Sequence, residues 1–253
     1  MKNLFYLGLI LFLFSACAKT NSTAIADVLK VEQTQMKKVL VFTKTLGWRH
    51  KSIETGVATF KEFGRKHMFV VEHTEDSIVF SRKRLDQYDA IVFLSTTGNV
   101  LDKAGQDAFE KYIQKGGSYL GVHAAADTEY DWPWYGRLVG GYFESHPNNP
   151  NLRKAMVERT ANSHKSVAHY PKSFSREDEW YNYKNINPAV TTVLTLDELT
   201  YEGGTNGNFH PIAWYHLYDG GKAFYTGGGH TKEAFAEEGF RRHLEEALLW
   251  CLE

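Results

Sequence analysis

Between residues 38 and 125, short apolar runs alternate with longer amphipathic stretches. Lys38 to Thr43 (Lys-Val-Leu-Val-Phe-Thr) is continuously apolar between polar flanks. It predicts a parallel strand buried on both faces. Met68 to Val71 predicts a second strand, ending at His73, and Tyr88 to Leu94 a third, ending at Ser95-Thr96-Thr97-Gly98. Ser118 to Leu120 predicts a fourth. Ile53, Val57 and Phe60 have helical spacing, and Ser52 is placed to cap that helix. Ala108, Phe109, Tyr112 and Ile113 form the inner stripe of another helix, capped by Asp102 and ended by Gly116. The alternation predicts an α/β fold: a doubly wound, mainly parallel sheet with helices on both faces and right-handed crossovers.

The pattern is less regular from Trp132 to Tyr201, where Lys154–Val157, Glu179–Tyr183 and Val190–Leu196 read as β segments. Ile212–Tyr218 and Lys222–Thr226 flank Asp219-Gly220-Gly221, which predicts a hairpin. The second of these strands runs into Gly227-Gly228-Gly229-His230. Phe240, Leu244, Ala247, Leu248 and Cys251 then share one face of a final helix.

The first residues depart from this pattern. Lys2 precedes an apolar run from Leu4 to Phe14, then Ser15-Ala16-Cys17. The run is shorter than the roughly 20 residues of a spanning helix and reads as a signal peptide over 1–16. Phe-Ser-Ala-Cys resembles a bacterial lipobox, which implies cleavage before Cys17 and lipidation of its thiol. Residues 17–36 are polar and read as a lipidated tether, with one domain over 37–253. The expectation is an extracytoplasmic lipoprotein facing the periplasm, held to the membrane through Cys17. The only other cysteine is Cys251, so no disulfide is expected if Cys17 carries lipid. With 43% apolar residues the chain can build a substantial core, and a net charge of −1 gives no reason to expect nucleic acid.

The chemistry gathers at predicted strand ends. Gly121-Val122-His123-Ala124-Ala125 is a strand, a tight turn and a small-residue helix start. This is the layout of a nucleophile elbow, with an imidazole at the apex. Gly227 to His230 repeats that logic, and His50 and Thr96 follow two other strands. The ends of parallel strands share one edge, so these residues can converge. His146 joins them as a further candidate. Converging imidazoles can bind a divalent metal or act as general acid and base. No HExxH or CxxC spacing decides between these uses. Glu179 and Asp127 are carboxylates able to orient an imidazole or serve as a base. Asp127 would share a helix face with His123 if a helix starts there. Trp180 and Tyr181 can offer apolar faces to a sugar ring or pack in the core. No dinucleotide fingerprint, Walker A motif or GxSxG is present.

Together these segments resemble the ThuA-like (trehalose utilisation) family. The resemblance rests on Val39 through His50, Gly116-Gly117 through Ala125, Gly140-Gly141 through His146-Pro147, Asp178-Glu179-Trp180-Tyr181, and Tyr225 through His230. It implies a flavodoxin-like, class I glutamine amidotransferase-like fold. The elbow cysteine of those amidotransferases is His123 here, which excludes glutamine hydrolysis through a thiolate. The resemblance also implies sugar catabolism downstream of a sugar oxidoreductase. The expected activity is on 3-keto-glycosides, by elimination and hydration or by isomerisation. His123, His230, His50, His146 and Glu179 would be catalytic or metal-binding. Trp48, Arg49, Thr96, Asp127, Trp180 and Tyr181 would meet a small carbohydrate. A non-catalytic carbohydrate-binding lipoprotein, or a subunit of a sugar-oxidising complex, is the alternative.

Overall fold

The computed structural model describes residues 36–253; the signal peptide, Cys17 and nearly all of the tether lie outside the described residues. The alternating region folds as its pattern predicts. Strands β1 (Lys38–Phe42), β2 (Val70–Thr74), β3 (Ala90–Leu94) and β4 (Ser118–Val122) pair in parallel, and β11 (Gly221–Thr226) joins β4 in the same sense. Helices α1 (Ile53–His67), α2 (Arg82–Leu85), α3 (Lys103–Gln114), α4 (Pro133–Val139) and α5 (Glu238–Leu252) complete the framework. Successive side chains of a strand point to opposite faces. Phe93 therefore stacks on Phe109 of α3, while the adjacent Leu94 lies beside Gly56 of α1. Phe224 meets His243 of α5. Helices cover both faces of the parallel part.

The irregular middle of the chain extends this sheet antiparallel. Strands β6 (Leu152–Arg159), β7 (Ser173–Glu179), β9 (Thr191–Asp197) and β10 (His210–Tyr218) continue it, giving the order β2-β1-β3-β4-β11-β10-β9-β6-β7. The expected β10–β11 hairpin forms. Strands β5 (Tyr142–Ser145) and β8 (Asn182–Lys184) make a separate antiparallel pair.

Several local expectations are corrected. Met68 does not open β2; it closes α1 in the left-handed conformation at φ 56° and is 80% exposed. The segment read as one strand over 179–183 is two, broken at Trp180-Tyr181. Ser52 makes no capping bond; its hydroxyl donates to the Gly229 carbonyl at 2.9 Å. Asp102 does cap α3, its Oδ1 accepting from the Gly105 amide at 2.8 Å. The chain after His123 forms a short 3-10 turn over His123–Asp127. With three residues per turn, Asp127 does not stack over His123.

Candidate functional site

The elbow at the end of β4 is strained. His123 takes φ 51°, and Ser95, at the matching end of β3, takes φ 50°. Left-handed backbone is unfavourable for residues with a Cβ and is tolerated where the surroundings enforce it. Here it turns the fully buried His123 imidazole along the carboxyl edge of the sheet. Its Nδ1–H donates to the Gly227 carbonyl at 2.8 Å. That bond fixes the tautomer, so a neutral His123 presents the Nε2 lone pair.

Three other side chains meet that lone pair. His50, from the loop after β1, brings Nε2 to 3.2 Å, and His230, after β11, brings Nδ1 to 3.3 Å. Glu179, the last residue of β7, places Oε2 at 3.4 Å from His123 Nε2 and 2.9 Å from His230 Nδ1. Donor atoms of His50, His123, Glu179 and His230 all lie within 4.8 Å of one another.

The sequence builds the His230 arm from glycines. Gly229 has φ 114°, and a Cβ on Gly227 would stand 2.2 Å from the Tyr183 hydroxyl. Only glycine lets this turn pass so close to its neighbours. Asp178 holds the turn from the other side. Its buried carboxylate accepts from the Gly229 amide at 2.8 Å and the His230 amide at 3.1 Å. It also pairs with Arg176 Nη1 at 2.8 Å. The residue next to Glu179 thus ties both arms together.

Electrostatics separate the members of the cluster. Burial, with the neighbouring imidazoles of His123 and His230, pushes His50 down to about 2, so it is neutral. Burial works against ionisation of Glu179, but hydrogen bonding and charge from His123 and His230 outweigh it and hold the carboxyl well below its ordinary range. The Asn151 amide donates to Glu179 Oε1 at 2.6 Å.

Three imidazole nitrogens and a carboxylate oxygen are a donor set for a first-row divalent ion. Ligands at about 2.1 Å stand roughly 3.0 to 3.4 Å apart, close to the four spacings given above, and a coordination number above four leaves a position open to substrate. The His123–Gly227 bond is the outer-shell contact that orients a ligating histidine. These residues fit a divalent metal. His230 requires one rearrangement: its Nε2 lies 3.3 Å from the Asn151 amide nitrogen. Ligation through Nδ1 moves the proton to Nε2 and ends that contact, while Asn151 keeps its bond to Glu179.

The cluster lies in a cleft of about 580 Å³ lined by Trp48, Asp127, Phe143, His146, Asn151 and Tyr181, among others. His146 sits at its side, with Nδ1–H donating to the Pro147 carbonyl at 2.7 Å and Nε2 3.7 Å from Glu179 Oε1. Trp48 is 70% exposed, an aromatic face open to solvent beside the cleft. Tyr181 packs against His123 at 4.4 Å between ring centroids.

Three expected sugar contacts lie elsewhere. Trp180 is buried and donates to the Arg153 carbonyl at 2.7 Å, so it belongs to the core. Thr96 is buried and shares a hydrogen bond with Thr128 at 2.8 Å. Arg49 points away into ion pairs with Glu54 and Glu75. Asn151 and Tyr130 escaped the sequence reading, and Asp178 entered it only within Asp178-Glu179-Trp180-Tyr181, with no role of its own. Asp178 directly precedes Glu179, and strand alternation would have put it on the opposite face. Asn151 lies in Asn148-Asn149-Pro150-Asn151, whose composition signals only a turn.

No curated protein matches the sequence at a significant level. Among solved structures, a putative ThuA-like protein from Bacteroides uniformis is similar at 27% identity and a TM-score of 0.73, covering 85% of this chain and 91% of that one. A putative ThuA-like protein from Parabacteroides merdae shares the fold at 18% identity and a TM-score of 0.67, covering 86% and 90%. The glutaminase domain of Trypanosoma brucei CTPS also shares the fold, at 11% identity and a TM-score of 0.50, covering 86% and 94%. The family model described as trehalose utilisation, ThuA, matches residues 38–251, and the chain belongs to that family.

Proposed function

We propose that this ThuA-like protein is a metal-assisted enzyme of sugar catabolism that acts on 3-keto-glycosides by elimination and hydration or by isomerisation. The observation that carries the reading is the meeting of His50, His123, His230 and Glu179 at one point in an aromatic-walled cleft. A bound divalent ion would supply Lewis acidity toward the ketone oxygen and the charge that develops on it. The protein's own groups do the rest. Trp48 and Phe143 offer apolar faces to the C–H surface of a sugar ring, with the buried Tyr181 packed behind Phe143. His146 Nε2 stands free at the cleft to take a proton from the carbon beside the ketone. Once it has taken that proton, the imidazolium faces Glu179 Oε1 at 3.7 Å, an attraction that favours the transfer.

The setting is part of the proposal. A lipid on Cys17 would hold the domain at the membrane, facing the periplasm, and a sugar oxidoreductase would supply the ketone. The test is metal analysis of the purified protein followed by incubation with 3-keto-glucosides, monitored by NMR. One divalent ion per chain and a new unsaturated or hydrated sugar are expected. His123→Ala and His230→Ala should abolish both. Folded variants that turn over substrate at the parent rate would refute the assignment.

A further inference from the structure

Asp127 lines the cleft and is paired with Tyr130, and the metal cluster uses neither. Tyr130 Oη lies 2.7 Å from Asp127 Oδ1 and 3.1 Å from the Phe143 carbonyl. A phenol has one proton to give, and a carbonyl can only accept. With Asp127 ionised, Tyr130 donates to the carboxylate and its bond to Phe143 is lost. With Asp127 protonated, the carboxyl donates to Tyr130 Oη and Tyr130 donates to the Phe143 carbonyl. Both arrangements keep the carboxyl hydrogen-bonded, and the protonated one satisfies all three groups. Tyr130 is itself held in place, stacked on Tyr142 at 5.0 Å.

We propose that Asp127 is the proton donor of the cleft, delivering its proton to the departing alcohol oxygen of the glycoside, with Tyr130 as its positioning residue. The proposal rests on the functional reading above and assigns the acid that reading lacks. In the elimination, His146 Nε2 takes the proton from the carbon beside the ketone. The electron pair of that C–H bond forms the C=C bond. The glycosidic C–O bond breaks with its pair, the Asp127 proton leaves Tyr130 Oη for the departing oxygen, and Tyr130 turns its own proton from the Phe143 carbonyl to the new carboxylate. Solvent then takes the proton from His146 and returns one to Asp127, so no oxidant or reductant is consumed. Burial raises the Asp127 carboxyl above its ordinary range, while the Tyr130 bond and the nearby His123, His146 and Lys184 pull it down.

The experiment compares the metal-loaded parent with Asp127→Asn and Tyr130→Phe on 3-keto-glucosides that release methanol or 4-nitrophenol. Asp127→Asn should lose about 10²- to 10³-fold with methanol as leaving group. It should lose less than about 10-fold with 4-nitrophenol, which departs without an acid. Tyr130→Phe should show the same leaving-group pattern with a smaller loss, and its pH profile should shift upward. Metal content should be unchanged in both variants. An equal loss on the two substrates would overturn the proposal. If the parent turns over neither substrate, the functional reading fails by itself. Infrared difference spectra against Asp127→Asn then still test the proton: a protonated carboxyl band that titrates above the ordinary range, and higher in Tyr130→Phe, supports the assignment. Its absence overturns it.

Discussion

Acid should destabilise this domain through two histidines that have nothing to do with the cleft. His243 of α5 is 1% exposed, donates Nδ1–H to the Ser166 carbonyl at 3.0 Å, and leaves Nε2 without a partner among the described residues. Aromatic rings of Phe224, Phe240 and Tyr170 surround it. Burial pushes it from 6.5 down to about 3, helped by His169, Arg176 and His164. His164 is 8% exposed and is pushed by burial from 6.5 to about 4, Glu253 opposing and Lys165 assisting. Below the ordinary value the unfolded chain takes up these protons and the folded chain does not. Stability therefore falls as pH drops from 6.5 toward the folded values. At about pH 5 the gap is roughly 1.5 units, which costs about 2 kcal/mol for the buried His243 and less for His164, which is nearer solvent. That is a large share of the roughly 5–15 kcal/mol that holds a domain folded. Urea unfolding followed by tryptophan fluorescence, in chelator, measures it between about pH 7 and pH 5. The informative quantity is the difference between the parent and His243→Asn. The asparagine can keep a bond to Ser166 but cannot titrate, so its acid-induced loss should be smaller by about 2 kcal/mol. Equal losses in the two proteins would refute the reasoning.

Three further outcomes follow from particular contacts. Gly227→Ala forces a methyl to within 2.2 Å of the Tyr183 hydroxyl, so the turn before His230 must move; metal affinity should fall and the melting temperature should drop by the equivalent of about 1–3 kcal/mol. Asp178→Asn leaves Arg176 buried with Glu237 as its remaining carboxylate and should cost about 3–5 kcal/mol in urea unfolding, together with loss of bound metal. Cys251 is buried, and burial pushes its thiol up to about 12, so peptide mapping should find it unalkylated until the domain unfolds.

The parallel half of the fold was legible because its strands are buried on both faces and read as unbroken apolar runs. Ala90–Leu94 and Lys38–Phe42 are near-pure examples. The carboxyl-edge rule then brought His50, His123 and His230 to one place without any motif between them. The antiparallel extension was harder, since its strands bury one face and carry polar residues on the other. In β7 the alternation Ser-Phe-Ser-Arg-Glu-Asp-Glu ends in consecutive buried carboxylates. No periodicity says that Glu179 turns into the cleft while Trp180 turns into the core. Tyr130 and Asn151 were invisible for a related reason: their roles depend on a hydrogen-bond partner, which composition does not encode.

Strand β7, which ends at Glu179, lies five positions from β4 in the strand order, yet Glu179 touches His123, the residue that follows β4. In a flat sheet about 4.8 Å per strand would separate them by about 24 Å. The extension therefore curls back over the carboxyl edge, and the cluster closes that curl. Its members span positions 50 to 230. Contacts between such distant positions come late in folding, because long loops must close before they form. A nascent or truncated chain that has built only β1 to β4 carries His50 and His123 but cannot complete the donor set. Metal uptake by this protein would then report that the last strand and its glycine turn have docked, a completion signal that secondary structure alone would miss.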